Sequence, residues 1–107
     1  MRLMTEHFNA LTPAEAERLA LLAEECGECI QAVGKILRHG YESQHPEGIH
    51  HGATNRQRLV EEMGDVQAAM LMLCEGGDVK HADIHMACVE KLVRVRRYLH
   101  HQDALHL

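Results

Sequence analysis

Aromatic residues are scarce. Phe8, Tyr41 and Tyr98 are the whole aromatic content, 3% of 107 residues, and tryptophan is absent. A core must then be built from Leu, Val, Ile, Met and Ala, which suits packed helices better than sheets. Only two prolines occur, Pro13 where a helix would open and Pro46 in a loop-like stretch. No apolar run approaches the roughly 18 to 20 residues that a membrane-spanning helix needs. No apolar stretch of signal-peptide length stands near Met1, so a cytoplasmic protein away from membranes is expected. Basic charge is in deficit too. Eleven Lys+Arg against 16 Asp+Glu leave a net charge of −5, which argues against nucleic acid as a main partner.

What is present is ordinary for a globular protein: 46% hydrophobic and 25% charged residues, enough to argue against disorder. The length fits a single domain spanning 1–107. A chain this short buries a modest fraction of its surface. Helices with exposed apolar edges would gain from self-association, so a homodimer or homotetramer is expected.

Three helices are legible, giving an all-α fold. After an N-terminal arm (1–11) without periodicity, Thr12-Pro13-Ala14-Glu15 combines an N-cap, a proline at the first helical position and a capping-box glutamate. Leu19, Leu22, Cys26, Cys29, Ile30, Val33, Ile36 and Leu37 then recur at three- and four-residue steps, predicting an amphipathic helix to about His39 with Gly40 as its stop. Residues 40–54 hold three glycines, Pro46 and the histidines His45, His50 and His51, and read as a loop or lid. A second helix begins near Asn55, with Thr54 or Asn55 as its cap, carries Leu59, Glu62, Val66, Ala69, Met70 and Leu73 on one face, and ends at Gly76-Gly77. A third begins near Asp78 or Asp83 and continues through Ile84, Cys88, Lys91, Val95, Tyr98 and Leu99. The tail, 102–107, is expected to fray.

Acid pairs at i, i+3 stand on the first two helices: Glu25 with Glu28, and Glu62 with Asp65. Residues at that spacing project to one side, a turn apart. Glu62 falls in the middle of its helix's apolar stripe, with Asp65 beside it. Glu25 and Glu28 flank the apolar face of the first helix, and Glu24 lies on the same side. Burying an isolated carboxylate costs several kcal/mol or keeps it protonated, and clustered carboxylates repel one another. A bound divalent cation resolves both, and an all-oxygen donor set favours Mg²⁺ or Mn²⁺ over zinc. The bland alternative is a surface salt-bridge network using Arg18, Lys35 or Arg58. On the third helix Lys91, Arg94 and Tyr98 share a stripe, with Arg97 alongside. Such a lysine either pairs with an acid, snorkels to solvent or contacts phosphate.

The order Glu24-Glu25-x-x-Glu28, then Glu62-x-x-Asp65, then Lys91, Arg94 and Arg97-Tyr98 resembles the MazG-like all-α nucleotide pyrophosphohydrolases. That superfamily includes dimeric dUTPase-like enzymes and phosphoribosyl-ATP pyrophosphatases. The resemblance covers roughly residues 15–100. It implies hydrolysis of a nucleoside triphosphate to the monophosphate and pyrophosphate, in a dimer or tetramer. It implies Mg²⁺ (or Mn²⁺) held by Glu25, Glu28, Glu62 and Asp65, with Glu24 a further ligand or the base that orients the attacking water. Lys91, Arg94, Arg97 and Tyr98 would contact the phosphates. The span from Glu28 to Glu62 is longer than in many members, which bears on the substrate more than on the metal.

Other features have simpler readings. Cys26-Gly27-Glu28-Cys29 is formally C-x-x-C, but it lies mid-helix without a second such pair. These cysteines, with Cys74 and Cys88, read as small core residues. Met63, Met70 and Met72 read as core filler. Gly27 and Gly64, inside the two acid motifs, either let helix backbones approach or are merely tolerated. Glu47-x-x-His50 looks like half of a di-iron motif, yet lies in the loop. Two rival functions follow: a non-catalytic helical oligomer that binds a partner, and a transition-metal protein using His45, His50 or His51.

Overall fold

The computed structural model describes residues 8–44 and 52–102. Its elements are α1 (Pro13–His39), α2 (Asn55–Glu75), α3 (His81–Val95) and a short 3₁₀ turn, η1 (Arg96–Tyr98). Among the described residues the only strand-like feature is an isolated bridge between Gln44 and Thr54. The histidines His45, His50 and His51, Glu47, most of the N-terminal arm and most of the tail lie outside the described residues.

Local chemistry sets the helix ends. At α1, Thr12 Oγ1 accepts from the Glu15 amide at 3.1 Å and Glu15 Oε1 accepts from the Thr12 amide at 2.8 Å. Thr54 and Gln57 form the same reciprocal box at α2, so Thr54 is the cap. The loop ends are drawn together below it. The amides of Asn55 and Arg56 donate to the carbonyls of Ser43 and Tyr41, each at 2.8 Å. Arg56 also pairs with Glu42 and lies over the Tyr41 ring.

At the far end of α2 the chain closes in a Schellman motif. The Asp78 amide donates to Leu73 and the Gly77 amide to Cys74, with Gly77 at φ 84 where a Cβ would be strained. This turn delays the third helix. It starts at His81 with Lys80 as a cap without a side-chain hydrogen bond, between Asp78 and Asp83, near which it is expected from the sequence. Asp78 is otherwise engaged: it takes Arg18 of α1 in a two-pronged pair at 2.7 and 2.8 Å. The pair is mostly shielded from solvent, and the guanidinium holds the Asp78 carboxyl below the usual range. With the loop linking the opposite ends, this pair fixes α1 and α2 as an antiparallel hairpin.

Gly76 makes room for that bridge. A Cβ there would stand 2.5 Å from Arg18 Cζ, although φ −74 suits any residue. Gly76→Ala should therefore lower Tm, against the 0.4 to 1 kcal/mol or so that such a change gains by restricting the unfolded chain. Thermal melting followed by circular dichroism checks this; an unchanged or raised Tm would mean that the Arg18–Asp78 bridge shifts at no cost.

α3 is the unexpected element. Tertiary packing is concentrated between α1 and α2, and α3 packs chiefly on the η1 turn that follows it. The radius of gyration is 18.3 Å, against about 13 Å for a compact chain of this length. Ala32, Ala69 and Leu73 are the buried apolar residues among those described, and none lies on α3. The expectation that Cys26 and Cys88 are buried is corrected: both are exposed. Met63 and Met72 are exposed as well. Cys26, Met63 and Met72 face outward from a helix pair too thin to cover them, and Cys88 lies on α3, which packs chiefly on η1.

Candidate metal centre

α1 and α2 meet at their acid motifs. One carboxylate oxygen from each of Glu25, Glu28, Glu62 and Asp65 lies within 4.8 Å of the other three. The i, i+3 spacing puts each pair on one side of its helix, and antiparallel packing turns the two sides to each other. Glu62 is 7% exposed, the one buried charged residue among those described. Gly27 and Gly64 sit inside these motifs, but no atom lies within 4 Å of where a Cβ would stand at either. Close backbone approach within the chain is therefore not their role.

The electrostatics are those of a site short of positive charge. Burial pushes the Glu25 carboxyl above its usual range, aided by Asp65, Glu24 and Glu62. Burial and neighbouring Glu28 push Glu62 up, with Arg58 pulling the other way. Glu25 Oε2 and Glu62 Oε2 are buried without a hydrogen-bond partner. A salt-bridge network would have satisfied them. Among the described residues only Arg58 reaches in, donating to Glu62 Oε1 at 3.0 Å and to Glu61 at 2.6 Å. Arg18 is bound to Asp78 instead. Opposite oxygen ligands of an ion such as Mg²⁺ lie about 4.2 Å apart, so the observed cluster needs little closure to hold one. The residues fit a hard divalent cation.

Raised carboxyl pKa values carry a sign. A carboxyl whose folded pKa is raised adds stability below its unfolded value, about 4.3, and loses it as pH rises through the folded one. In EDTA, acidification from neutral pH should thus relieve the repulsion at Glu25 and Glu62 and raise their contribution to Tm. Below that range protonation of Asp78, whose pKa is depressed, acts in the opposite direction. Millimolar divalent cation should raise Tm at neutral pH and do little near pH 4, as scanning calorimetry would register. An equal cation effect at both pH values would count against the carboxylates as the binding groups.

Beside the cluster opens a cleft of about 290 Å³, lined by Glu28, Gln31, Lys35, Asn55, Arg58 and Glu62 with two alanines. It is polar and has no aromatic wall. From the sequence alone Gln31 has no role, Asn55 none beyond a helix cap, and Lys35 and Arg58 only that of partners in a surface network. A signal was available: Gln31 and Lys35 follow Glu28 by three and seven residues, and Asn55 and Arg58 precede Glu62 by seven and four. Each continues an acid stripe by whole helical turns.

The remaining sequence-selected residues are placed differently. Glu24 is exposed and stands outside the group of four, though its charge is felt by Glu25. Lys91, Arg94 and Arg97 are exposed on α3 and η1, and Tyr98 is 72% exposed. None of them lines the cleft. The chain brings the acids together and leaves the α3 cations outside the cleft.

The comparison with known families decides the assignment. The family model for the MazG nucleotide pyrophosphohydrolase domain matches residues 14–100. The chain belongs to the MazG family. The match takes in all three helices, both acid motifs and the basic third helix, and the all-α architecture agrees with it. At the level of the family this points to nucleotide pyrophosphohydrolase activity. No curated protein and no solved structure gives a significant match.

Proposed function

We propose that this MazG-family protein is a Mg²⁺-dependent nucleoside triphosphate pyrophosphohydrolase, releasing a nucleoside monophosphate and pyrophosphate. The observation that carries the reading is the convergence of Glu25, Glu28, Glu62 and Asp65 with two buried oxygens left unpartnered. These four would hold Mg²⁺, with Mn²⁺ able to replace it. A cation bound there supplies charge neutralisation for the phosphates and activation of water. Glu24, outside the group of four, fits the base better than a further ligand. Its carboxylate accepts the proton of the water that attacks the α-phosphorus. The bond between that phosphorus and the bridging oxygen breaks, and pyrophosphate leaves.

The polar cleft receives the rest of the nucleotide, where Gln31 and Asn55 offer amide hydrogen bonds and Lys35 and Arg58 offer positive charge. Lys91, Arg94, Arg97 and Tyr98 contact the phosphates once a second copy of the chain brings an α3 to the site. The assembly is a homodimer or homotetramer, and four unpaired cysteines fit a reducing, cytoplasmic setting. Among the described residues no helix is long and apolar enough to cross a membrane.

The test is a screen of standard and modified nucleoside triphosphates for pyrophosphate release, with Mg²⁺ and with EDTA. Mg²⁺-dependent release from at least one substrate is expected. No release from any of them would leave the non-catalytic helical oligomer as the better account.

A further inference from the structure

Arg58 is a cation set among the carboxylates that would hold one, and its two contacts divide it. Nη2 donates to Glu62 Oε1 at 3.0 Å, while Nη1 donates to Glu61 Oε2 at 2.6 Å. Glu61 is exposed and is not one of the four converging acids. The guanidinium is a planar fork able to take both oxygens of one carboxylate at once. Here the fork is split over two residues, as their places three and four positions along α2 permit. Glu62 therefore gives one oxygen to Arg58 and keeps the other, Oε2, buried and without a partner.

We infer that Arg58, anchored by Glu61, is the positioning residue of the metal centre: it holds Glu62 by Oε1 so that Oε2 is presented to the ion. Glu61 occupies the second prong and so keeps the guanidinium from closing over both oxygens. The inference rests on the divalent-cation reading of the cluster. It assigns work to two residues that are not ligands. Hydrogen-bond partners of ligating carboxylates orient them, and losing such a partner typically weakens metal binding about 10- to 100-fold.

The test titrates Mn²⁺ alone into the full chain, read by electron paramagnetic resonance and calorimetry, for wild type, Arg58→Ala, Arg58→Lys, Glu61→Ala and the double variant Arg58→Ala/Glu61→Ala. Positioning predicts that Arg58→Ala binds Mn²⁺ roughly 10-fold or more weakly. Lysine keeps the charge but not the fork, so Arg58→Lys recovers only part of that loss. Glu61→Ala also binds more weakly, because the freed prong takes Glu62 Oε2. The double variant binds no more weakly than Arg58→Ala, since without the arginine there is nothing for Glu61 to restrain. Charge alone predicts the reverse pattern: tighter binding by Arg58→Ala, no change in Arg58→Lys, and wild-type affinity in the double variant. That pattern, or wild-type affinity throughout with only Tm altered, overturns the inference. If Arg58→Ala fails to fold, Arg58→Lys decides between the two. A wild-type chain that takes up no Mn²⁺ refutes the metal centre itself, a separate failure.

Discussion

Glu62→Gln should abolish cation-dependent pyrophosphate release while leaving helix content intact. Glutamine keeps the volume and the hydrogen bond from Arg58 but removes the charge from the most buried of the four converging acids. A bound cation contributes several kcal/mol to stabilising transition-state charge, and each 1.4 kcal/mol or so is a factor of ten in rate. A fall of roughly three orders of magnitude is expected. The same substitution should remove the thermal shift that cations produce. An ion at about 100 times its Kd adds some 2.7 kcal/mol, or about 10 °C or more in a domain of this size. In EDTA the variant should melt no lower than wild type, because crowding by neighbouring carboxylates is relieved. Retained activity would remove the assignment of Glu62 as a ligand. Lost activity with lost helix content would reduce it to a packing residue.

The second large effect is expected at α3. At 100° per residue, Ile84, Cys88, Leu92 and Val95 lie along one side, and Val89, Val93 and Met86 continue round it. The apolar face is broad, interrupted by His81 and His85, yet Met86 is 57% and Val93 63% exposed. A surface of that kind, on a helix that packs chiefly on η1 among the described residues, is one that another chain would cover. Val93→Asp should convert the proposed assembly to the 12.1 kDa protomer on light scattering after size exclusion, with activity lost alongside. Burial of valine is worth about 1.5 to 3 kcal/mol, and a buried unpaired aspartate costs more. In a two-fold interface each loss occurs twice. A wild-type chain that is monomeric and fully active would overturn this account, and with it the roles proposed for Lys91, Arg94, Arg97 and Tyr98.

Much of this architecture was readable without coordinates, for local reasons. The capping boxes at Thr12 and Thr54 involve residues three apart, so the start of each helix is written where it occurs. Helix periodicity put Glu62 in an apolar stripe and paired it with Asp65. The third helix start was legible only to within a few residues, because the partner that engages Asp78 is Arg18, 60 positions away. The exposed cysteines and methionines were misread for a related reason: periodicity identifies an apolar face but not what covers it.

The order of residues alone thus determined three helices, where two of them begin, and which acids share a side of each. It did so because turns, caps and i, i+3 neighbours are interactions within a few residues. Which stripes confront each other is a matter of packing. The α1/α2 hairpin brought four carboxylates together, opened the cleft beside them and left α3 largely exposed. Those contacts join residues far apart in the chain, and only the folded backbone sets their distances.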